Sequence, residues 1–345
     1  MGGSTRAAVT PLERALAHLL GTLLDASEIG IEDDFLSIGG DTEIATAAAA
    51  RIQEWLDIPT VTAADVSESR TVAALAELLR NRDARLEQVA ELFLEVAAMD
   101  TVEVTDFAPW VRRFPGPARG GIVIFPHAGS AAAAYRPVAC AFAADGPDVF
   151  VVQYPQHAGR LSDPAAPTIT DLAEGLFAAG QWGQLAPLRL FGHCMGSLVA
   201  FEFAKIAADR GTPISRLWVS GGAAPSSMVD LLPLPTADDE IIADLGELGG
   251  TDPRLLADPE FVELLVPAIR ADYQALNRYM SSPGDAIDVD VTVIGAHRDE
   301  RVTLEALRRW KSHTTRGFDM HMLEGGHFFL FENLNDVTRI VNSDV

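Results

Sequence analysis

A cysteine flanked by glycines is the feature of this sequence with the clearest chemical potential. The segment Gly192-His193-Cys194-Met195-Gly196 follows an apolar run, 188–191, of strand character, and it opens a helical stretch that continues to about Arg210. Glycines are needed there because Cβ atoms would collide in so tight a strand-to-helix turn. The helix dipole at this position favours the thiolate. We predict that Cys194 is a nucleophile; the alternative is a buried cysteine that only packs.

A cysteine nucleophile needs a base. In the strand–turn–helix arrangement the chain order is nucleophile, acid and then histidine. His327 follows the last apolar run, 318–323, and is predicted to be the base. His18 lies in the helical N-terminal region, and His193 is expected to point away from its neighbour Cys194. The remaining histidines are possible but poorly placed in chain order: His127, His157, His297, His313 and His321.

The acid that orients this histidine is predicted to be Asp299. It follows the apolar run 289–295, where a loop can present a carboxylate to the imidazole and stabilise its cation. Glu300 is the near competitor, and a solvated surface role is the alternative for Asp299. Asp288 and Asp290 enter the same run from the opposite end and are poorer candidates.

An oxyanion hole is predicted from two backbone N–H groups, those of Met195 and Ala128. Met195 follows the nucleophile, and Ala128 lies in the loop after the first apolar run, within residues 125–130. The small residues of that loop would let the backbone approach a developing oxyanion. Taken alone, the loop sequence indicates only a turn.

The second part of the chain alternates short apolar runs with segments long enough for helices, and only the last run lacks such a segment after it. This alternation predicts an α/β fold with a mainly parallel sheet and helices on both faces. A helical insertion without strand character, at about 226–282, interrupts the alternation. The predicted strands are 121–125, 148–154, 188–191, 216–220, 289–295 and 318–323.

The first 85 residues have a different pattern, which predicts a small helical bundle. Residues 11–24 carry leucines at helical spacing, residues 42–55 form an alanine-rich second helix, and Ser69 or Thr71 can cap a last helix. One more helix is predicted over 81–98, followed by a stretch rich in proline and glycine over 99–120. We assign residues 86–120 as a linker that includes most of this helix.

Charge and cysteine content narrow the possible partners. The 345 residues carry a formal net charge of −23, which disfavours binding to nucleic acid. Two cysteines, Cys140 and Cys194, cannot build a disulfide framework or a four-ligand zinc site, so no metal is expected. No apolar run approaches the length of a membrane span, and residues 1–6 lack a signal-peptide pattern. We expect a cytoplasmic protein whose chain starts inside a longer one.

Residues 33–42 (DDFLSIGGDT) resemble the carrier-protein signature of nonribosomal peptide synthetases. Without that resemblance, Asp41 and Thr42 indicate only a helix N-cap. In that family a serine after Gly-Gly-Asp carries 4′-phosphopantetheine, and Thr42 stands at its position. The resemblance implies a four-helix carrier bundle over 1–85 and a phosphopantetheinyl transferase as partner. Because the threonine methyl crowds its hydroxyl, we expect the cofactor to be absent from this chain.

Residues 121–345 resemble the thioesterases of the same synthetases, which have an α/β-hydrolase fold with a helical lid. The matching segments are 125–129 (FPHAG), 154–155 (YP), 192–196 (GHCMG), 267–273 (PAIRADY) and 325–329 (GGHFF). The family usually has serine where Cys194 stands. Segments 55–57 (WLD), 70–75 (RTVAAL) and 190–196 (LFGHCMG) resemble, more narrowly, the C-terminal part of phenyloxazoline synthases from mycobactin- and nocobactin-type siderophore assembly lines.

These resemblances imply that an acyl or peptidyl thioester on the carrier is passed to Cys194 and then released or transferred. Upstream synthetase domains would supply that thioester, and in siderophore biosynthesis the acyl group would be an aryl-capped oxazoline. Two alternatives stay open. One is a proofreading hydrolase that clears stalled acyl groups, and the other is a catalytically silent docking module.

Overall fold

A computed structural model of the chain describes residues 10–24, 29–56, 61–83, 86–87, 90, 107, 109–251, 253–282 and 284–343. The described residues fall into two compact units, divided between residues 103 and 104. Each unit has its own apolar core.

Among its described residues, the first unit consists of helices and connecting loops and contains no strand. Its core is built from apolar positions that recur every three or four residues, including Leu12, Leu16 and Leu75. Thr10 and Glu13 form a capping box at the first helix, and Thr71 rather than Ser69 caps the last one. The helices are α1 (Pro11–Leu23), α2 (Thr42–Leu56), α3 (Ala63–Ser69) and α4 (Val72–Arg82).

Two of the predicted helices, α1 and α2, lie within a residue or so of their expected bounds. Helix α3 was not predicted, because its seven residues contain too few apolar positions to reveal a period. Most of the predicted helix over 81–98 lies outside the described residues.

The second unit is a mainly parallel, seven-stranded sheet with helices between its strands, and six of the seven strands correspond to predicted ones. The strand order is β1-β3-β2-β4-β5-β6-β7, and every neighbouring pair is parallel except β1 with β3. The strands are β1 (Val111–Phe114), β2 (Ala118–Phe125), β3 (Pro147–Val152), β4 (Leu188–His193), β5 (Ile214–Ser220), β6 (Asp290–Ala296) and β7 (Phe318–Leu323).

The helices of this unit follow the strands in the order expected of crossover connections. Two of them, α12 and α13, follow the last strand, where the sequence pattern predicted none. The helices are α5 (Arg136–Ala143), α6 (Ile169–Ala178), α7 (Met195–Asp209), α8 (Asp238–Leu248), α9 (Pro253–Leu256), α10 (Pro259–Asn277), α11 (Leu304–Arg308), α12 (Phe329–Glu332) and α13 (Leu334–Asn342).

The end of the predicted linker was wrong. Residues 111–114 form strand β1, which pairs antiparallel with β3, and β2 begins at residue 118. The strand escaped prediction because it is a short edge strand with two arginines, Arg112 and Arg113, between Pro109 and Pro115. Arg113 belongs there because its guanidinium pairs with Asp148 of β3.

The insertion between β5 and β6 consists of helices α8, α9 and α10 preceded by a short 3₁₀ helix, Pro225–Asp230. No strand occurs among its described residues. We call residues 226–282 the lid.

The sheet order explains where a site must form. Strand β2 has β3 on one side and β4 on the other, so the connections after β2 and β4 leave in opposite directions. A crevice opens at such a switch point, at the carboxyl ends of the strands. The register aligns Phe125 with Gly192, which places the loop of residues 126–130 beside the turn that carries Cys194.

Candidate active site

Cys194 lies on a strained turn between β4 and α7. Its φ and ψ are 52° and −119°, a conformation that side chains rarely adopt. A Cβ atom at Gly196 would overlap the carbonyl of Phe125, and one at Gly192 would overlap the backbone of 196–197. The turn is fixed from the neighbouring strand, because the Cys194 N–H donates to the Ser220 carbonyl at 2.9 Å. The strand, turn and helix predicted around Cys194 are therefore present.

His327 lies in the loop between β7 and α12 and is almost fully buried. Its Nδ1 atom is 3.0 Å from Oδ2 and 3.1 Å from Oδ1 of Asp299. Its Nε2 atom is also buried and forms no hydrogen bond of good geometry with any described residue. His327 and Cys194 line the same cavity, and the thiolate charge raises the pKa of the imidazole.

The loop after β6 presents Asp299 to the histidine, while Glu300 is exposed to solvent. Oδ1 of Asp299 accepts the backbone N–H groups of Arg301 at 2.9 Å and Val302 at 3.1 Å. Asp288 pairs with Arg316 before the start of β6, at the opposite end of the strand. Of the acidic candidates considered, the structure brings Asp299 to the histidine.

The electrostatics of Cys194 and His327 favour a thiolate–imidazolium pair. Burial raises the pKa of the Cys194 thiol, but the His327 cation, the Met195 N–H and the Arg301 charge outweigh it, so that the pKa falls below its ordinary value. Burial lowers the pKa of His327, yet the thiolate and the Asp299 carboxylate raise it to about 10. Each charged form stabilises the other.

Both predicted oxyanion donors lie close to Cys194. Met195 follows it directly and begins α7, and its N–H helps to lower the pKa of the thiol. Ala128 lies in the loop of residues 126–130, which we call the oxyanion loop, and lines the same cavity as Cys194. Its N–H donates to no other group among the described residues, whereas the next N–H, of Gly129, donates to Asp272 at 2.8 Å.

A cavity of about 100 Å³ leads from Cys194 under the lid. The lid side of this cavity is mostly apolar. The polar groups that line the cavity include Tyr273 of the lid and Arg301, which lies outside the lid. The apolar lid residues that line it are Leu234, Leu245, Leu248, Leu265, Ile269 and Leu276.

Two polar residues that line this cavity, Tyr273 and Arg301, and their shared partner Asp244 were not predicted from the sequence. Arg301 donates two hydrogen bonds of 2.8 Å to the carboxylate of Asp244, and Tyr273 donates its hydroxyl to the same carboxylate at 2.6 Å. Asp244 and Tyr273 lie on lid helices, and Arg301 lies two residues after Asp299 in the loop that follows β6. A sequence pattern gives no sign of this cluster, because isolated charged residues normally indicate a solvated surface.

The other histidines near the nucleophile have different partners. His193 bonds Ser220 Oγ through Nδ1 at 2.9 Å and is fully buried. His127 lines the cavity, and its Nδ1 lies 2.7 Å from the Tyr135 hydroxyl. Burial, together with the nearby charge of His327, lowers the pKa of His127 to about 3, so its ring is neutral.

Residues 121–345 match the family described as Thioesterase domain. The chain belongs to the thioesterase family. Over 69% of its length it is 34% identical to Thioesterase PikA5 of Streptomyces venezuelae, covering 85% of that protein. The structure of the type II thioesterase BorB, from the borrelidin biosynthetic cluster, superposes with a TM-score of 0.59 at 33% identity. That match covers 68% of this chain and 96% of BorB.

The first part of this thioesterase chain, residues 11–79, matches the family described as Phosphopantetheine attachment site. Both units together are 48% identical to Phenyloxazoline synthase MbtB of Mycobacterium tuberculosis, over 97% of this chain. The chain spans about a quarter of the length of that relative. The predicted resemblance to a carrier–thioesterase pair is thereby confirmed, and the chain combines a carrier domain with an α/β-hydrolase-type thioesterase.

The carrier domain places Thr42 at an exposed helix start. Gly39 has a φ of 100°, and a Cβ at Gly40 would collide with the ring of the buried Phe35, so the loop folds back tightly before α2. Asp41 is the residue that caps α2, because its carboxylate accepts the Ile44 N–H at 2.8 Å. The hydroxyl of Thr42 is therefore not needed as the cap.

Among the described residues, histidine, cysteine and acidic side chains form no group of three that could hold a metal ion. In the same part of the chain no helix is long and apolar enough to cross a membrane.

Proposed function

We propose that this chain is the carrier–thioesterase end of a nonribosomal peptide synthetase that makes a siderophore of the mycobactin type. In this proposal residues 1–85 form a four-helix carrier bundle, a linker follows to about residue 110, and the rest is the thioesterase with its lid. The similarity to a phenyloxazoline synthase along 97% of the chain supports the pathway and upstream synthetase domains as partners.

The observation that carries the catalytic proposal is the contact between His327 Nδ1 and Asp299 at 3.0 Å, made while the pKa values of His327 and Cys194 are shifted toward an ion pair. We assign Cys194 as nucleophile, His327 as acid and base, and Asp299 as the residue that orients the imidazole. Met195 and Ala128 supply the oxyanion hole.

The carrier's part depends on Thr42. A phosphopantetheinyl transferase would have to attach 4′-phosphopantetheine at the Thr42 hydroxyl, and the bound group would present the acyl chain as a thioester. The hydroxyl is exposed at the first turn of α2 and is not used as the helix cap, which fits an attachment site. It is also a secondary hydroxyl, so we expect slow modification and a largely unmodified carrier.

Acylation starts from the thiolate–imidazolium pair. The Cys194 sulfur attacks the thioester carbonyl carbon, and the N–H groups of Met195 and Ala128 bind the oxyanion that forms. As the carbonyl is restored, the bond to the departing thiol sulfur breaks, and His327 gives its Nε2 proton to that sulfur. The products are a free thiol, an acyl-Cys194 thioester and a neutral His327.

Release reverses these roles. Neutral His327 removes a proton from water, or from an amine or hydroxyl acceptor, whose oxygen or nitrogen attacks the acyl carbon. The carbon–sulfur bond to Cys194 breaks, and the thiolate–imidazolium pair forms again. Because one thioester replaces another during acylation, that step is nearly isoenergetic, and the acyl group stays activated for hydrolysis or transfer.

The size of the cavity favours a second candidate function, the removal of stalled acyl groups. The cavity at Cys194 measures about 100 Å³, below the roughly 300–1,000 Å³ of ordinary small-molecule sites. It shares His127, Gly250 and Phe328 with a neighbouring cavity of about 400 Å³. The part next to Cys194 therefore suits short acyl groups, whereas an aryl-capped oxazoline would have to reach into the neighbouring cavity. A proofreading thioesterase would hydrolyse such short groups faster than the assembled product.

Intact-mass spectrometry after mixing the chain with acyl-pantetheine thioesters tests this proposal. We expect the mass of one acyl group on the chain, mapped to Cys194, and free acid appearing with time. Cys194→Ala should abolish this acylation, and Cys140→Ala is the matched control that should retain it. Faster turnover of acetyl- than of aryl-oxazoline-pantetheine would support proofreading over product release. No acylation with any acyl group would support the silent docking module instead.

A further inference from the structure

We propose that Asp272 is a positioning residue for acyl transfer: from lid helix α10 its carboxylate holds the oxyanion loop by the N–H of Gly129. The inference rests on the proposed function, because it assumes that Ala128 in that loop binds the oxyanion. Asp272 does not touch the reacting atoms; it acts through its hydrogen bond to Gly129, the residue next to Ala128.

Helix α10 is seated directly on the oxyanion loop. Gly129 has a φ of 79°, and a Cβ at this position would overlap the side chain of Ile269. Asp272 lies three residues after Ile269, on the same face of the helix, and its Oδ2 accepts the Gly129 N–H at 2.8 Å. One helical turn therefore supplies both the apolar contact and the hydrogen bond that define the loop.

Asp272 is only 4% exposed, and a buried carboxylate needs a strong partner. That partner is His157, whose Nε2 lies 3.0 Å from Asp272 Oδ2. The Nδ1 atom of His157 lies 2.8 Å from the carbonyl oxygen of Pro155. Since both ring nitrogens face acceptors, both carry protons, and the pair is a buried imidazolium and carboxylate. Burial lowers the pKa of His157, but Asp272 outweighs it and raises the pKa above its ordinary value.

This arrangement fixes the peptide that joins Ala128 to Gly129. The other end of the loop is fixed by the core, because the Tyr154 hydroxyl donates to the Pro126 carbonyl at 3.2 Å. The peptide between His127 and Ala128, which carries the Ala128 N–H, lies between these two anchors, and Ala128 lines the cavity. In Asp272→Asn a neutral amide would have to serve both the Gly129 N–H and the His157 imidazolium that now share Oδ2. Because an amide oxygen stabilises that cation less than a carboxylate does, the contact should weaken and the loop donor should be misdirected, while the Cys194 thiolate keeps its own partners.

Two reactions of the same sulfur separate these effects. Acyl transfer builds up an oxyanion, whereas alkylation by iodoacetamide displaces iodide at a saturated carbon and forms no oxyanion. We expect Asp272→Asn to lower the single-turnover rate of Cys194 acylation by about tenfold or more. Its KM should change little, and its rate of alkylation by iodoacetamide should stay within about twofold of the unaltered chain.

A matched control comes from the amino-terminal end of β3, at the opposite end of the strands from the oxyanion loop. Asp148 also accepts a glycine N–H, that of Gly116 at 3.0 Å, and a cationic side chain, Arg113. Asp148→Asn should therefore disturb a similar bond set without changing acylation. His157→Gln offers a second variant that keeps a donor for Asp272; we expect the same selective loss of acylation to a smaller degree.

The role of Asp272 is overturned if Asp272→Asn acylates at the rate of the unaltered chain. It is also overturned if acylation and alkylation fall together in both Asp272→Asn and His157→Gln, because the turn that carries Cys194 would then itself be disrupted. Failure of the unaltered chain to acylate refutes the proposed function, and the present inference with it.

Discussion

Both carboxylate oxygens of Asp299 face Nδ1 of His327, Oδ2 at 3.0 Å and Oδ1 at 3.1 Å. Oδ1 also accepts two backbone N–H groups, from Arg301 and Val302. Because the backbone holds the carboxylate in place, the imidazole meets a fixed acceptor. The proton is thereby kept on Nδ1 when His327 is neutral, which leaves Nε2 free to face Cys194.

Asp299→Asn should cripple acyl transfer without unfolding the domain. The amide oxygen can keep the two backbone N–H groups, so its NH₂ group would face Nδ1 and force the neutral imidazole into the wrong tautomer. We expect turnover of an acyl thioester to fall by roughly tenfold or more. The loss should be milder than in a serine enzyme, because a cysteine is already partly ionised.

Glu300→Gln is the control for this variant, since Glu300 shares the loop and the charge but is exposed. Turnover should stay near that of the unaltered chain. If Glu300→Gln is crippled and Asp299→Asn stays active, the assignment of Asp299 as the acid is wrong. If both variants stay active, another group must orient His327.

Cys194 should be alkylated faster than Cys140 at neutral pH, by roughly tenfold. Exposure alone would give the opposite order, because Cys140 is exposed and Cys194 only partly so. The lowered pKa of Cys194 supplies more thiolate. Peptide mapping after brief iodoacetamide treatment measures the ratio, and equal labelling would remove the argument for an activated thiol.

The pH dependence of the two Cys194 reactions should differ at the alkaline end. As pH rises through about 10, His327 loses its second proton and can no longer protonate the departing thiol. Acylation should therefore decline above about pH 10, while alkylation, which needs only the thiolate, should not. In His327→Ala the thiol loses its cation and keeps its burial, so the alkylation midpoint should move to higher pH. An unchanged midpoint would show that His327 does not stabilise the thiolate.

The carrier should respond to one methyl group. With a promiscuous phosphopantetheinyl transferase and coenzyme A, we expect the unaltered chain to remain largely unmodified and Thr42→Ser to gain the mass of one phosphopantetheine. The reason is the crowded secondary hydroxyl of threonine. Complete modification of the unaltered chain would show instead that Thr42 is an acceptable attachment residue.

Replacing a glycine of the turn that carries Cys194 should destabilise the protein far more than replacing a glycine with free space around it. Gly196→Ala would place a methyl against the Phe125 carbonyl, whereas a Cβ at Gly183 meets no atom within 4 Å. We expect Gly196→Ala to cost about 2 kcal/mol or more and to lower Tm by several degrees. Gly183→Ala should change Tm little. Equal Tm values for the two variants would contradict the packing described for the turn.

The parallel sheet and the arrangement of Cys194, His327 and Asp299 could be predicted because each has a local signature. Apolar runs indicate buried strands, and the glycines around Cys194 indicate the turn. Strand β1 had no such signature, since two of its four residues are arginines and its stability comes from pairing with β3. Its partner is more than thirty residues away, and no local pattern records that distance.

The polar contacts around the cavity were equally invisible in the sequence. Asp272 and His157 lie 115 positions apart, and Asp244 and Arg301 lie 57 positions apart. Each of them, taken singly, has the sequence character of a surface residue. Only the fold brings the members of each pair together, and it buries Asp272 and His157.

The backbone at Cys194 carries one more consequence, a conflict between durability and chemistry. A side chain at a φ of 52° and ψ of −119° holds strain of about 1–3 kcal/mol, which glycine would relieve. The proposed nucleophile thus stands at a position where the fold would be more stable without any side chain. Selection for stability alone would favour glycine there, so the turn trades stability for the chemistry proposed at this sulfur.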